Sequence, residues 1–304
     1  MANVTDAAFR FLIAKYGKPD VMYTEFVSAD GLCSEGQKEL LIDLKFDAIE
    51  RPIVAQMFSA SPEKIAEAVK IIRELKFDGI DINMGCPDRN IEKQKAGASL
   101  INNPDLAVDI IGAAKDAAAG LPISVKTRLG FNKIEIETWL PRLMATRPAA
   151  IVIHARTRRE MSKVPARWDM VARAVEIAKD SGVMIVGNGD VSSIAEARQR
   201  VVETGCDGVM IGRALFGNPW LFSGAPAAVH SVAERLRMAI EHAELYETML
   251  AGRKPFHLMK KHYKAYVSGF DGAKELRAKL METNSAVEGY SLIEDFLKKV
   301  ESAD

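Results

Sequence analysis

Cysteine is scarce in this chain. Three occur, Cys33, Cys86 and Cys206, at spacings that fit neither a zinc pattern nor a disulfide framework. A reducing compartment, the cytoplasm, and no metal site are therefore expected. Long apolar runs are also missing. No stretch approaches the ~20 residues that cross a bilayer, and no basic-then-apolar leader opens the chain, so no membrane or secretory role is expected. Net charge is absent, with 41 Lys and Arg against 41 Asp and Glu. Bulk charge thus gives no reason to invoke nucleic acid, and any such case rests on local patches. Aromatics make up 7%, so contact with an RNA would rest on backbone and shape more than on base stacking. No Gly-x-Gly-x-x-Gly follows the first strand signal, which argues against a Rossmann domain.

What is present is a long alternation. The 304 residues are 48% hydrophobic and 27% charged, the composition of a soluble globular protein long enough for a barrel plus an appendage. Strand signals lie at Val21–Phe26, Ile53–Phe58, Gly79–Asn83, Ile123–Arg128, Ala150–His154, Val183–Gly187 and Gly208–Ile211. Amphipathic segments separate them, such as Pro62–Lys76, where Ile65, Val69, Ile72 and Leu75 recur at helical spacing behind Ser61. Strands alternating with helices predict a parallel α/β sheet with right-handed crossovers. A TIM (β/α)₈ barrel needs one strand more than these seven. The chain opens at a turn and a helix N-cap, Thr5 or Asp6, so the first strand would precede Met1. After Pro226 only helical patterns remain, over Val229–Leu250, Pro255–Gly269, Ala273–Met281 and Tyr290–Val300. The predicted organisation is a barrel over 1–224 and a small all-helical domain over 225–304.

The sharpest motif is Asp81-Ile82-Asn83-Met84-Gly85-Cys86-Pro87. A buried strand runs into a Gly-Cys-Pro turn, which presents a thiol at the C-terminal edge of the sheet, where chemistry sits in such folds. By itself Cys86 is equally readable as a small buried hydrophobe. Two glycine-bearing turns, Gly187-Asn188-Gly189-Asp190 and Ile211-Gly212-Arg213, end the last two strands. They predict a phosphate cradle of backbone N–H groups. Lys126 and Arg128 alternate on one strand, with His154 and Arg156 on the next. As bare residues, Lys126 also reads as a core ion pair with Asp81, and His154 as a satisfied interior histidine. With Gln56 and Asn83 at the same edge, the set suggests a cofactor with a polar head.

These elements resemble the tRNA-dihydrouridine synthase family. The resemblance is carried by Met1 to Asp6, Thr24-Glu25, Gln56, Asp81 to Pro87, Ala96-Gly97-Ala98, Lys126-Thr127-Arg128, His154-Ala155-Arg156-Thr157-Arg158, Gly187 to Asp190, Ile211 to Ala214 and Pro219-Trp220, in order along nearly the whole chain. It implies an FMN-dependent barrel with NADPH or NADH as reductant and tRNA as substrate. Cys86 would be the proton donor. Met1, Ala2, Gln56, Lys126, His154, Asn188, Gly189, Asp190, Gly212 and Arg213 would hold FMN, and Asn83 and Arg128 would line the uracil pocket. Two departures stand out. The family carries a strand ending in Pro before the match to Met1, and it has Gly where this chain has Ala155.

From Arg253 to Lys279 eight cations stand against two carboxylates, Asp271 and Glu275. Lys260, Lys261 and Lys264 fall on one helix face at i, i+1 and i+4, and Arg156, Arg158, Arg159 and Lys163 form a second basic segment. Together they predict a polyanion track, and a monomer that binds tRNA is the expected form. The alternative is a flavin barrel that reduces a free pyrimidine or another small unsaturated molecule, which would have no use for the basic helices. A third is a non-catalytic RNA-binding barrel, which would carry no flavin.

Overall fold

A computed structural model describes residues 1, 3–224 and 230–301. The chain divides into two compact units.

One unit, Val21–Leu44 with Arg51–Gly212, holds the sheet. Its seven strands are all parallel and lie in chain order. They are β1 (Met22–Ser28), β2 (Ile53–Phe58), β3 (Gly79–Asn83), β4 (Ile123–Arg128), β5 (Ala150–His154), β6 (Met184–Asn188) and β7 (Gly208–Met210). Among the described residues no pairing joins β7 back to β1. This is a (β/α)₈ architecture with seven strands present, as the alternation predicts.

Local chemistry sets the boundaries. Ser61 caps Pro62–Glu74 by accepting from the Lys64 N–H at 3.1 Å, with Pro62 at the first helical turn, where its missing N–H costs nothing. Pro104–Ala118 ends at Ala119, φ 48°, followed by Gly120, φ 94°. Every residue of β3 is buried, as expected of a strand covered on both faces. Boundaries of β1, β6 and β7 shift from the sequence reading, β7 stopping at Met210. β1 runs to Ser28 through an irregularity between Tyr23 and Phe26. β6 runs to Asn188, which places that amide on the strand end and not in the turn.

Register then aligns side chains. Gln56 pairs with Asp81 and Asp81 with Ser124. Asn83 pairs with Lys126, and Arg128 with His154 and His154 with Asn188. Lateral partners in a parallel sheet point to one face, and so do residues two apart. All eight side chains therefore share one face.

The other unit comprises Met1–Asp20, Lys45–Glu50 and Arg213–Asp304. The first helix, Ala7–Gly17, thus groups with the C-terminal helices. So does the segment after Gly212, whereas the sequence reading drew its boundary at 224. The first residues beyond that boundary lie outside the described residues. Arg10 donates to Glu50 at 2.7 Å, and both are buried. Val232–Leu250 starts at a capping box formed by Ser231 and Glu234, and Val229, where the sequence pattern began, lies outside the described residues. The helix expected over 255–269 is instead a 3₁₀ turn, Phe256–Met259, followed by Lys260–Tyr266. The last helix starts at Ala286, earlier than expected, because the Ser285 hydroxyl accepts from the Glu288 N–H. Among the described residues no helix is long and apolar enough to cross a membrane.

Candidate active site

The end of β3 is tied down from four directions. Asn83 Oδ1 accepts from the N–H groups of Gly85 and Cys86, at 3.1 and 2.9 Å. This side-chain turn lifts the chain off the strand and sets the direction of Cys86. Arg128 Nε donates to the Gly85 carbonyl at 2.7 Å, and Thr127 Oγ1 to that of Met84 at 3.2 Å. The Ala98 N–H donates to the Cys86 carbonyl at 2.9 Å. Two glycines allow this closeness. A Cβ on Gly85 would stand 3.2 Å from the Thr127 backbone, and one on Gly97 would stand 2.8 Å from the Cys86 carbonyl oxygen. Gly97 also has φ 61°, the left-handed region. Ala96-Gly97-Ala98 is therefore the strap of the Cys86 turn, a role that spacing alone did not reveal.

The Cys86 side chain packs half-buried against Phe58, Ile91 and Ala96, with Phe26 and Ala60. Burial raises its pKa; the Asp88 amide and the Arg128 guanidinium pull the other way more weakly. The thiol is thus held as the protonated acid at neutral pH. Cys33 and Cys206 are free thiols that donate weakly to the Lys64 and Gly208 carbonyls.

Below the turn lies a polar core. Asp81 is fully buried and accepts from Gln56 Nε2 at 2.7 Å and Ser124 Oγ at 2.6 Å. Burial pushes its pKa up to about 6, against those two bonds and the charge of Lys126. Gln56 Oε1 accepts from Asn83 Nδ2 at 3.1 Å. Lys126 Nζ donates to Asn188 Oδ1 at 2.9 Å. Burial pushes its pKa down to about 7, helped by Arg128 and opposed by Asp81. The core ion pair with Asp81 is thus a longer-range attraction, not a contact. Ser124 escaped the sequence reading, although its place two residues before Lys126 puts it on the same face.

Arg128 is buried too. Besides Gly85 it donates to the Thr157 and Met161 carbonyls, at 3.2 and 3.1 Å, so it ties the turn after β3 to the loop after β5. Burial lowers its pKa to about 10.

Just past the end of β5, Arg156 Nη1 lies 3.2 Å from His154 Nε2. A guanidinium can only donate, so this ring nitrogen presents its lone pair. Arg156 also pairs with Asp190 and donates to the Val164 carbonyl at 2.6 Å. Asp190, φ 51°, further accepts from the Ala166 N–H at 2.9 Å. Trp168 Nε1 donates to the Gly189 carbonyl at 3.0 Å. Asn188 Nδ2 reaches the Met210 carbonyl at 2.8 Å, joining the ends of β6 and β7 just before Gly212.

The predicted residues thus separate. Gln56, Asn83, Cys86, Lys126, Arg128, His154, Arg156, Asn188, Gly189, Asp190 and Gly212 all belong to the sheet unit. Met1 and Arg213 belong to the other unit, and Ala2 lies outside the described residues. The second basic segment is not all surface. Arg156 is buried and Arg158 forms a two-pronged pair with Glu92, while Arg159 and Lys163 are exposed. Lys261 and Lys264 are exposed and Lys260 half-buried, with Lys261 donating to the Asn3 carbonyl at 3.3 Å. Among the described residues no cluster of three His, Cys, Asp or Glu is placed to hold a metal.

Compared with known families, residues 1–301 match dihydrouridine synthase (Dus). The chain belongs to the dihydrouridine synthase family. A probable tRNA-dihydrouridine synthase of Staphylococcus aureus (strain MRSA252) is 37% identical over 302 residues, 97% of this chain and 91% of that one. A probable tRNA-dihydrouridine synthase 2 of Bacillus subtilis (strain 168) is 38% identical over 306 residues, 98% and 93% of the two chains. Among solved structures, an old yellow enzyme homologue from Zymomonas mobilis superposes with a TM-score of 0.50 at 13% identity, over 74% of this chain and 85% of that one. At that identity the likeness concerns the fold, a TIM barrel.

Proposed function

We propose that this chain reduces the 5,6-double bond of uridine in tRNA to dihydrouridine. The observation that carries the reading is the Cys86 thiol, kept protonated in the turn after β3 beside the Arg128 guanidinium, in a chain of this family. The surroundings suit a flavin with an anionic head. Lys126 is a cation disfavoured by burial, with one hydrogen bond and, among the described residues, no carboxylate within 4.0 Å. An anion bound beside this amine would hold it in the charged form that burial disfavours. Gln56, Lys126, His154 and the Asn188-Gly189-Asp190 turn, with Gly212, would hold FMN; Arg156 would serve by pinning Asp190. The chemistry a reduced flavin held there would supply is a hydride for C6 of the uracil ring. Lys126 places positive charge where negative charge develops on reduction. Asn83 and Arg128 border the uracil, and Cys86 delivers a proton to C5 as general acid. The target base must be flipped out, because a stacked uracil hides both faces.

In the proposed division, residues 1–224 carry the chemistry and 225–304 bind tRNA. The cations between Arg253 and Lys279, with Lys260, Lys261 and Lys264 among them, favour a polyanion over a free pyrimidine. On the barrel side the phosphate contacts first sought in Arg156 and Arg158 fall to the exposed Arg159 and Lys163. NADPH, with NADH as alternative, would re-reduce the flavin, and the protein would act as a cytoplasmic monomer.

The test is Cys86→Ala assayed on unmodified tRNA, with dihydrouridine counted by mass spectrometry of nucleosides. Flavin absorbance should persist, while turnover falls by ~10²–10⁴-fold, the usual share of a general acid. Turnover within twofold of the parent removes Cys86 from the mechanism. A colourless protein with no turnover under NADPH or NADH removes the flavin reading altogether.

A further inference from the structure

Four side chains connect the floor of the sheet to the Cys86 turn in one direction. Ser124 Oγ and Gln56 Nε2 donate to Asp81, Asn83 Nδ2 donates to Gln56 Oε1, and the Gly85 and Cys86 N–H groups donate to Asn83 Oδ1. The two ends of this chain agree with each other. An ionised carboxylate can only accept, and backbone N–H groups can only donate. Each amide between them must therefore turn its nitrogen toward Asp81 and its oxygen toward Cys86. Neither Gln56 nor Asn83 has a free choice of flip. All four side chains are buried, so water cannot satisfy a reversed amide, and a facing pair of acceptors is costly.

We infer that Asp81 is a positioning residue for Cys86: its carboxylate sets the polarity of the Gln56–Asn83 amide relay, and through it orders the turn that carries the thiol. The consequence for proton delivery rests on the reading of Cys86 as the acid; the relay itself does not. Tyr23 and Lys126 also face Asp81, from β1 and β4. The charge that Asp81 contributes and the polarity that it dictates are therefore separate properties, and substitution separates them.

Asn83→Asp keeps an acceptor for the two backbone N–H groups but offers only acceptors to Gln56. Gln56 must then flip its nitrogen toward the new carboxylate, which turns its oxygen against the Asp81 carboxylate. Adding Asp81→Asn reverses the whole relay. The new amide at position 81 donates to Gln56 Oε1, and Gln56 Nε2 donates to the carboxylate at position 83. The oxygen of the position-81 amide still accepts from Ser124. The carboxylate then stands on the register partner of Lys126, so the formal charge of the site is unchanged.

Two readouts that need no turnover decide the matter, the Tm and the rate at which Cys86 reacts with iodoacetamide, with Cys86→Ala to subtract the other two thiols. Asn83→Asp should lower the Tm by about 5 °C, one strongly mismatched buried group in a chain of this size, and change the Cys86 rate several-fold. The double variant should recover at least half of both changes. Rescue by a second substitution is not expected of two residues that merely fill space. A parental Asn83→Asp, or a double variant no better than Asn83→Asp, including a failure of both to fold, overturns the inference. Loss of the proposed acid role in the Cys86→Ala assay would leave this result standing, so the two failures are distinguishable.

Discussion

Gly97→Ala puts a methyl group into the strap over Cys86, and its cost follows from the geometry. Gly97 sits at φ 61°, where an L side chain costs about 1–2 kcal/mol. The new Cβ would lie 2.8 Å from the Cys86 carbonyl oxygen and 2.8 Å from Ile91 Cγ2. The isoleucine methyl can turn aside, but the carbonyl is backbone. It can retreat only by stretching the 2.9 Å bond from the Ala98 N–H, worth roughly 1 kcal/mol. Together these give about 2–3 kcal/mol, a Tm lower by about 5–10 °C for a chain of this length. The displaced group is the peptide that carries the proposed acid. Misplacement on the order of 1 Å costs up to ~10²-fold in rate, so dihydrouridine formation should fall between tenfold and a hundredfold while flavin absorbance stays. Gly112→Ala is the control. It lies within Pro104–Ala118 with nothing within 4 Å of a Cβ, and should stabilise by about 1 kcal/mol. Differential scanning fluorimetry and single-turnover assays on both variants suffice. If Gly97→Ala melts within 2 °C of the parent and turns over within twofold, the strap does not hold the turn.

Other consequences are as direct. Lys126→Ala removes the buried cation that donates to Asn188, so flavin stoichiometry after gel filtration should drop well below that of the parent; an unchanged ratio contradicts the proposed anion site. Changing Lys260, Lys261 and Lys264 together to Glu should weaken tRNA binding and flatten its salt dependence, by roughly 0.7–0.9 in slope per lost phosphate contact, with flavin content intact; equal slopes in anisotropy titrations refute the track. The His242 and His262 rings lie 4.4 Å apart between centroids, tilted by 57°, beside Phe9, and burial pushes His262 down to about 3 and lowers His242 as well. Both folded-state values lie below the unfolded one, so this stability is present above about pH 6.5 and is lost as pH falls toward 3. For His262 alone the loss is about 2 kcal/mol by pH 5. His262→Leu should therefore flatten the fall in Tm between pH 7 and 5; an unaltered fall places the acid sensitivity elsewhere.

Much of this protein was legible in the residue order. Strand identity followed from β-branched runs between amphipathic segments, and β2, β3, β4 and β5 begin and end where the pattern predicts, because burial on both faces leaves little freedom. The Cys86 turn was legible because Asn, Gly and Pro each have a narrow conformational use. Tertiary structure decided the rest, since partners far apart in the chain leave no local trace. Arg156 reads as one of four adjacent cations, yet meets Asp190 thirty-four residues away, which turns a surface charge into a buried brace. Ser124 reads as an ordinary strand serine until the register sets it beside Asp81. The segment after Pro255 opens as a 3₁₀ turn, Phe256–Met259, before the α-helix Lys260–Tyr266, a change of pitch that the spacing of its apolar residues does not show. The grouping of Ala7–Gly17 with the C-terminal helices joins two ends of the chain that no spacing rule connects. The chemistry was carried by residue types at strand ends; which of them face each other, and which way each amide points, had to wait for the fold.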